Sequence, residues 1–165
     1  MPAKHAHRAD IGEDLAFQRR NWRAQRVGWV LLGLLIAAGL AGLLGPGPLS
    51  DVSARDGERL EVEYERFVRH GSPSDIRVTI PRPGTKLVRV AVSRDYLDAV
   101  WLMEILPTPM RVQAADSDVV YTFERLGSGP LEATFGIRPK ALGTHEARIA
   151  LDDGSRVSVR QFTYP

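Results

Sequence analysis

The sequence predicts a mainly β protein, with a single N-terminal transmembrane helix followed by an antiparallel β-sandwich of about eight strands. One uncharged apolar run, residues 27–45, is long enough to cross the hydrocarbon core of a bilayer as a helix. Beyond Arg59, apolar residues recur at every second position, the period of a strand with one buried and one wet face. Of the 165 residues, those that follow the run suffice to bury a hydrophobic core without staples.

Residues 1–26 read as a cytoplasmic basic juxtamembrane segment. Lys4, Arg8, Arg19, Arg20, Arg23 and Arg26 outnumber Asp10, Glu13 and Asp14, so this segment carries +3 of a total of +2 and leaves the remainder at −1. Arg19, Arg20, Arg23 and Arg26 abut the apolar run, and short basic flanks stay on the cytoplasmic side, which places the C-terminal domain outside. No basic stripe elsewhere points to nucleic acid. Residues 10–26 suit a helix, with acids in the first turns and arginines in the last. Their apolar side (Ile11, Leu15, Trp22) is thin, so a solvated stub is expected rather than a helix lying in the interface.

Within the transmembrane helix at 27–45, Gly33, Ala37, Ala41 and Gly45 recur every four residues. Such a smooth stripe lets a second helix approach closely, either another copy or a larger membrane protein; the alternative is that small residues are simply common in membrane helices. Trp22 and Trp29 flank the cytoplasmic side as interfacial aromatics. The rival reading is a cleaved signal peptide, with small residues at Gly39 and Ala41. The length of the run and of the segment before it favour an uncleaved signal-anchor.

Gly45, Pro46, Gly47 and Pro48 stop the helix, and residues 46–58 are expected to form a Gly/Pro and polar linker. The β domain then occupies 59–165. Leu60, Val62 and Tyr64 alternate with glutamates; Ile76, Val78 and Ile80, then Val88, Val90 and Val92, follow the same period. Further strands are expected around Val119, Tyr121 and Phe123; Leu131 to Ile137; Ala147 to Leu151; and Val157 onward. Gly/Pro clusters at 71–73, 81–84, 127–130 and 139–143, and Asp-Gly at 153–154, separate them. Residues 94–100 are the one place in this domain that suits a helical turn. An immunoglobulin-like sandwich fits this layout.

Tyr121-Thr122-Phe123, Ile137-Arg138-Pro139, the run from Gly143 to Leu151 and Val157-Ser158-Val159 resemble the closing strands of bacterial extracytoplasmic immunoglobulin-like domains. The resemblance covers roughly the last 45 residues. The whole layout is similar to small bacterial single-pass membrane proteins whose anchor ends in a Gly/Pro stop. It implies a fold and a location, with no catalytic residues attached.

The chain has no cysteine, which excludes disulfides, thiolate nucleophiles and Cys-ligated metals. His5 and His7 sit in a polar tail without further ligands. His70 and His145 have no nucleophile motif beside them, and His145 suits the start of a strand. The Asp116-Ser117-Asp118 and Asp152-Asp153-Gly154 segments read as turns rather than calcium loops. Glu61, Glu63 and Glu65 read as the wet face of a strand. No catalytic, cofactor-binding or metal residue is therefore assigned, and no cofactor is expected.

Residues 101–110 differ from every other strand because they are apolar nearly throughout. A strand buried on both faces near the sandwich centre is the favoured reading. The alternative is a partner-docking patch formed by Trp101, Met103, Leu106, Pro107, Pro109 and Met110. The expectation for the whole chain is a non-enzymatic accessory or assembly subunit of the bacterial inner membrane. Its partners would be the lipid bilayer and another membrane protein or itself. The alternative function is a membrane-tethered module that binds an envelope glycan, peptide or lipid.

Overall fold

The computed structural model describes residues 15–40 and 50–165, without side chains for 15–20. Residues 46–49 of the expected 46–58 linker, the first fourteen residues, and Ala41 and Gly45 of the small-residue stripe lie outside the described residues. The chain divides into two units, a helix and a β domain.

Helix α1 spans Leu15–Leu40 without a break, so the described parts of the basic segment and of the apolar run are one element. Its segment Asn21–Leu40 has a mean hydropathy of 1.3 and is long and apolar enough to span a membrane. None of that stretch is buried, and Trp29, Val30, Leu34 and Leu35 all stand exposed. Arg26 lies over the Trp22 ring at 4.0 Å, one helical turn away.

The β domain is two packed sheets. The first contains β1 (Asp51–Asp56), β2 (Leu60–Glu65), β4 (Ser74–Ile80), β9 (Leu131–Pro139) and β6 (Val100–Leu106), in the order β1-β2-β4-β9-β6. The second runs β3-β11-β10-β5-β8-β7, with β3 at Phe67–Arg69, β5 at Leu87–Ser93, β7 at Arg111–Ala114, β8 at Asp118–Glu124, β10 at Gly143–Leu151 and β11 at Arg156–Tyr164. All neighbours are antiparallel except β3 and β11. The helical turn α2 occupies Arg94–Asp98, inside the segment expected for it.

Eleven strands are present among the described residues; β1, β3 and β7 are additional to the alternating runs of the sequence. β1 corrects the linker boundary, because Asp51–Asp56 pairs along its whole length with β2. Its polar composition hides it, since it is an edge strand with one row of neighbours and a half-wet surface. Ser50 pins its start: the Oγ donates to the Phe67 carbonyl at 3.2 Å, and the Ser50 carbonyl accepts from Arg66 N–H at 2.7 Å.

The alternating residues face one another between the sheets. Val62, Val78 and Ala133 of the first sheet and Val90, Phe123, Ala147 and Val159 of the second are shut off from solvent. Phe135 on β9 stands edge-on to Tyr121 at 5.3 Å and to Phe123 at 6.3 Å on β8, tying the two sheets at the centre. Tyr96 of α2 adds a polar tie. Its hydroxyl donates to Gln161 Oε1, and Gln161 Nε2 donates to the Glu65 carbonyl at 2.8 Å, joining α2, β11 and β2. Gln161 is buried, so these bonds satisfy groups that would otherwise be costly to bury.

Candidate functional site

Sheet order decides the character of the apolar segment. β6 is the last strand of the first sheet and β7 the last of the second. Only residues 107–110 join them, so the two edges border the same side of the sandwich. β6 therefore has β9 on one side and no strand on the other. This overturns burial on both faces: Trp101 is 49% exposed, Met103 59%, Leu106 52% and Met110 64%. The periodicity of the segment could not show this, because a buried central strand and an apolar edge strand have the same composition.

Pairing with β9 fixes the direction of each side chain. Leu102 lies opposite Ile137 and Ile105 opposite Phe135, both core residues; Ile105 packs against the core, whereas Leu102 stays 37% exposed at the open edge. Trp101 lies opposite Arg138, Glu104 opposite Gly136 and Leu106 opposite Thr134, on the outer face. Met103 has no opposite residue, because the register shifts between Leu102 and Glu104 in a bulge. Gly136 leaves room there: a side chain in its place would meet the Glu104 Cβ at 3.6 Å. Among the described residues no cation pairs with Glu104.

Pro107 and Pro109 end β6 and carry the chain across to the second sheet, where the Met110 N–H donates to the Thr122 carbonyl at 2.8 Å. Val112 lies opposite Tyr121 and continues the apolar side onto β7. The docking candidates named from the sequence thus lie along β6 and its 107–110 connection to β7, and Leu102, Glu104 and Val112 are exposed on the same two edge strands. Leu102 and Glu104 belong to the segment the sequence singled out, whereas no sequence signal marks Val112, whose exposure follows from a missing neighbour.

The other candidates have structural partners. His70 Nε2 lies 3.4 Å from the Lys140 carbonyl and His145 Nε2 3.1 Å from that of Ala141, and both carbonyls belong to the β9–β10 loop. Asp153 Oδ1 accepts from Ser155 N–H at 2.9 Å across a turn in which Gly154 has φ 89°. That hydrogen bond lowers the Asp153 pKa from its ordinary value. Ser117 donates to Asp118 at 3.0 Å within its own turn. Glu61 bonds Arg55 and Glu63 meets Arg77 at 3.3 Å, as expected of a solvated face. Among the described residues, no group of three His, Asp or Glu side chains is placed to hold a metal ion.

Two open clefts complete the surface. One of about 620 Å³ runs over β1, β2 and β4 beside Asp51, Glu63, Glu65, Asp75 and Arg77. The other, about 690 Å³, has Ile80, Leu87, Val88 and Leu151 beneath Arg59, Arg82 and Arg89. Two of these arginines face carboxylates across it, Arg89 to Asp152 at 3.4 Å and Arg59 to Asp153 at 3.8 Å.

On helix α1, Gly33 and Ala37 stand one turn apart, and a side chain at Gly33 would meet nothing within 4 Å. Arg23 and Arg26 lie exposed near its first apolar turn, and Arg19 and Arg20 precede them on the same helix.

No family model matches the chain, and no curated protein matches it. Among solved structures it is similar to a cohesin module from a Clostridium perfringens ATCC13124 family 33 glycoside hydrolase. The identity is 15% and the TM-score 0.43, over 68% of this chain and 97% of that one. No functional residue is carried over from that likeness.

Proposed function

We propose that this protein is a non-enzymatic, membrane-anchored accessory or assembly subunit that presents its β-sandwich outside the bacterial inner membrane. The observation that carries the reading is the exposed apolar side of the sandwich, where Trp101, Met103, Leu106 and Met110 gather at the two adjacent sheet edges. Isolated exposed apolar residues are ordinary, but a Trp and two Met exposed within ten residues of one edge strand and its connection have the composition of an interface. The anchor is supported by α1, whose apolar side chains have no protein cover along Asn21–Leu40 and find an apolar solvent in lipid. The arginines at its start set the cytoplasmic side.

In-cell crosslinking, followed by affinity capture from membranes through a C-terminal tag, tests this. Recovery of one membrane protein in constant ratio, lost with Trp101→Ser, is the expected result. Recovery of the tagged chain alone, or of a shortened soluble form lacking α1, counts against it. A second reading, a membrane-tethered ligand-binding module, is favoured by the cleft between Leu87 and Leu151 with its overhanging arginines. Thermal shift of the full chain against envelope glycans, peptides and lipids tests that one.

A further inference from the structure

We propose that β6 receives a short extended strand of a partner protein, one that carries a Lys or Arg between apolar residues and adds to the sheet along the open edge. This rests on the docking reading above and specifies its occupant.

The backbone is the first argument. An edge strand leaves every second N–H and C=O without a ladder partner, and an added strand supplies them. Four strands lie at sheet edges, and they are not alike. β1 carries Asp51, Arg55 and Asp56; β3 has 3 residues; β7 has 4 and begins with Arg111. Charge, shortness and bulges are the usual protections of an edge, and β6 has only the last together with one charge. β6 has 7 residues and a single charge. Its bulge at Met103 twists the edge and so limits the added strand to a short one rather than a growing stack.

The charge is the second argument, and it selects the occupant. Glu104 is central on the outer face, faces a glycine on the β9 side and has no cation partner among the described residues. A cation can reach it across the open edge. Trp101 and Leu106 flank it on the same face and call for apolar side chains on either side of that cation. A second copy of this chain does not meet the requirement: β6 contains no Lys or Arg, and antiparallel self-pairing centred on Glu104 sets two carboxylates against each other.

The test uses the full-length protein in detergent and the blocked peptide Thr-Val-Leu-Thr-Lys-Thr-Leu-Val-Thr. This probe reads the same in both directions and so serves either strand polarity. The Lys peptide is expected to bind about three- to five-fold tighter than its Lys→Glu counterpart, as suits a partly exposed ion pair. Glu104→Gln is expected to abolish that preference while keeping the binding. Amide exchange at residues 100–106 slows in the complex, and N-methylation of alternate peptide amides prevents it. Met103→Lys and, independently, Trp101→Ser weaken binding while the circular dichroism spectrum stays native.

Equal affinity of the Lys and Glu peptides, undiminished binding of the N-methylated peptide, or no binding at all overturns strand addition. Dimerisation that Met103→Lys abolishes, without peptide binding, overturns it in favour of a second copy. Failure here together with a Trp101-dependent crosslinked partner leaves the docking reading standing; failure to capture any partner removes that reading itself.

Discussion

At one edge of the five-stranded sheet β1 reads D-V-S-A-R-D; at the other β6 reads V-W-L-M-E-I-L. Both have one paired side and one open side, and both belong to the same sheet. β1 exposes Asp51, Ser53 and Arg55, and Arg55 bonds Glu61 on β2 directly opposite. β6 exposes Trp101, Met103 and Leu106, and among the described residues Glu104 has no cation partner. An open edge is tolerated in water when its chemistry repels another strand, and β1 meets that condition. β6 has only its bulge and the one charge of Glu104 among exposed apolar side chains, which leaves it the less protected of the two edges.

The largest effect is expected where both edges depend on the same core. Phe135 lies on β9, the strand that carries β6, and its ring meets Tyr121 and Phe123 of the other sheet. Phe135→Ala is expected to cost about 3–5 kcal/mol, the range for a buried aromatic cut back to a methyl. Denaturant unfolding of the detergent-solubilised chain measures it; a loss under about 1 kcal/mol would mean that the sheets are not held together there.

Tyr96→Phe comes next. It strands the buried Gln161 Oε1 without its donor, at an expected cost of about 1–3 kcal/mol. Burial raises the Tyr96 pKa above its ordinary 10.0 and acts in the same direction on Tyr121. The folded state therefore holds the phenolic proton more tightly than the unfolded chain does. The contribution is present in full below the unfolded value and is lost as pH rises toward the folded one. Stability should fall above about pH 10, and Tyr96→Phe should flatten that fall. An unchanged alkaline slope in the variant would assign the effect elsewhere.

Met103→Lys sharpens the comparison by giving β6 the charge that β1 already has. Partner capture is expected to drop by about tenfold or more, with stability inside about 0.5 kcal/mol of the parent because the side chain is already exposed. Partner capture that is unaffected would clear β6 of the docking role. The smallest effect belongs to Arg55→Ala on β1. Its bond to Glu61 is exposed on the arginine side, so a change of about 0–1 kcal/mol is expected, with partner capture intact. A loss of capture equal to that of Met103→Lys would erase the distinction between the two edges.

Local pattern determined a great deal here. The period-two runs place Leu60, Val62, Ile76, Val78, Ile80, Val88, Val90, Val92 and the apolar residues from Leu131 to Ile137 in the core, because alternation decides which face of a strand is wet. The turns at Gly71, Gly127 and Gly154 adopt positive φ, which their glycines made legible. The apolar helix was equally plain, since length and the lack of charge are one-dimensional quantities.

Other features depended on which strands become neighbours. Asp51–Asp56 is a strand because β2 offers it a complete ladder, not because its own residues favour one. Residues 101–110 read as core by composition, yet Trp101, Leu102, Met103 and Leu106 became surface because no strand follows β6 in its sheet, while Val100 and Ile105 keep their contact with the core. Burial of a side chain is fixed by the period of its own strand, whereas exposure of an edge is fixed by the absence of a neighbour. The first is written in adjacent residues, and the second arises only when the whole sheet has been ordered.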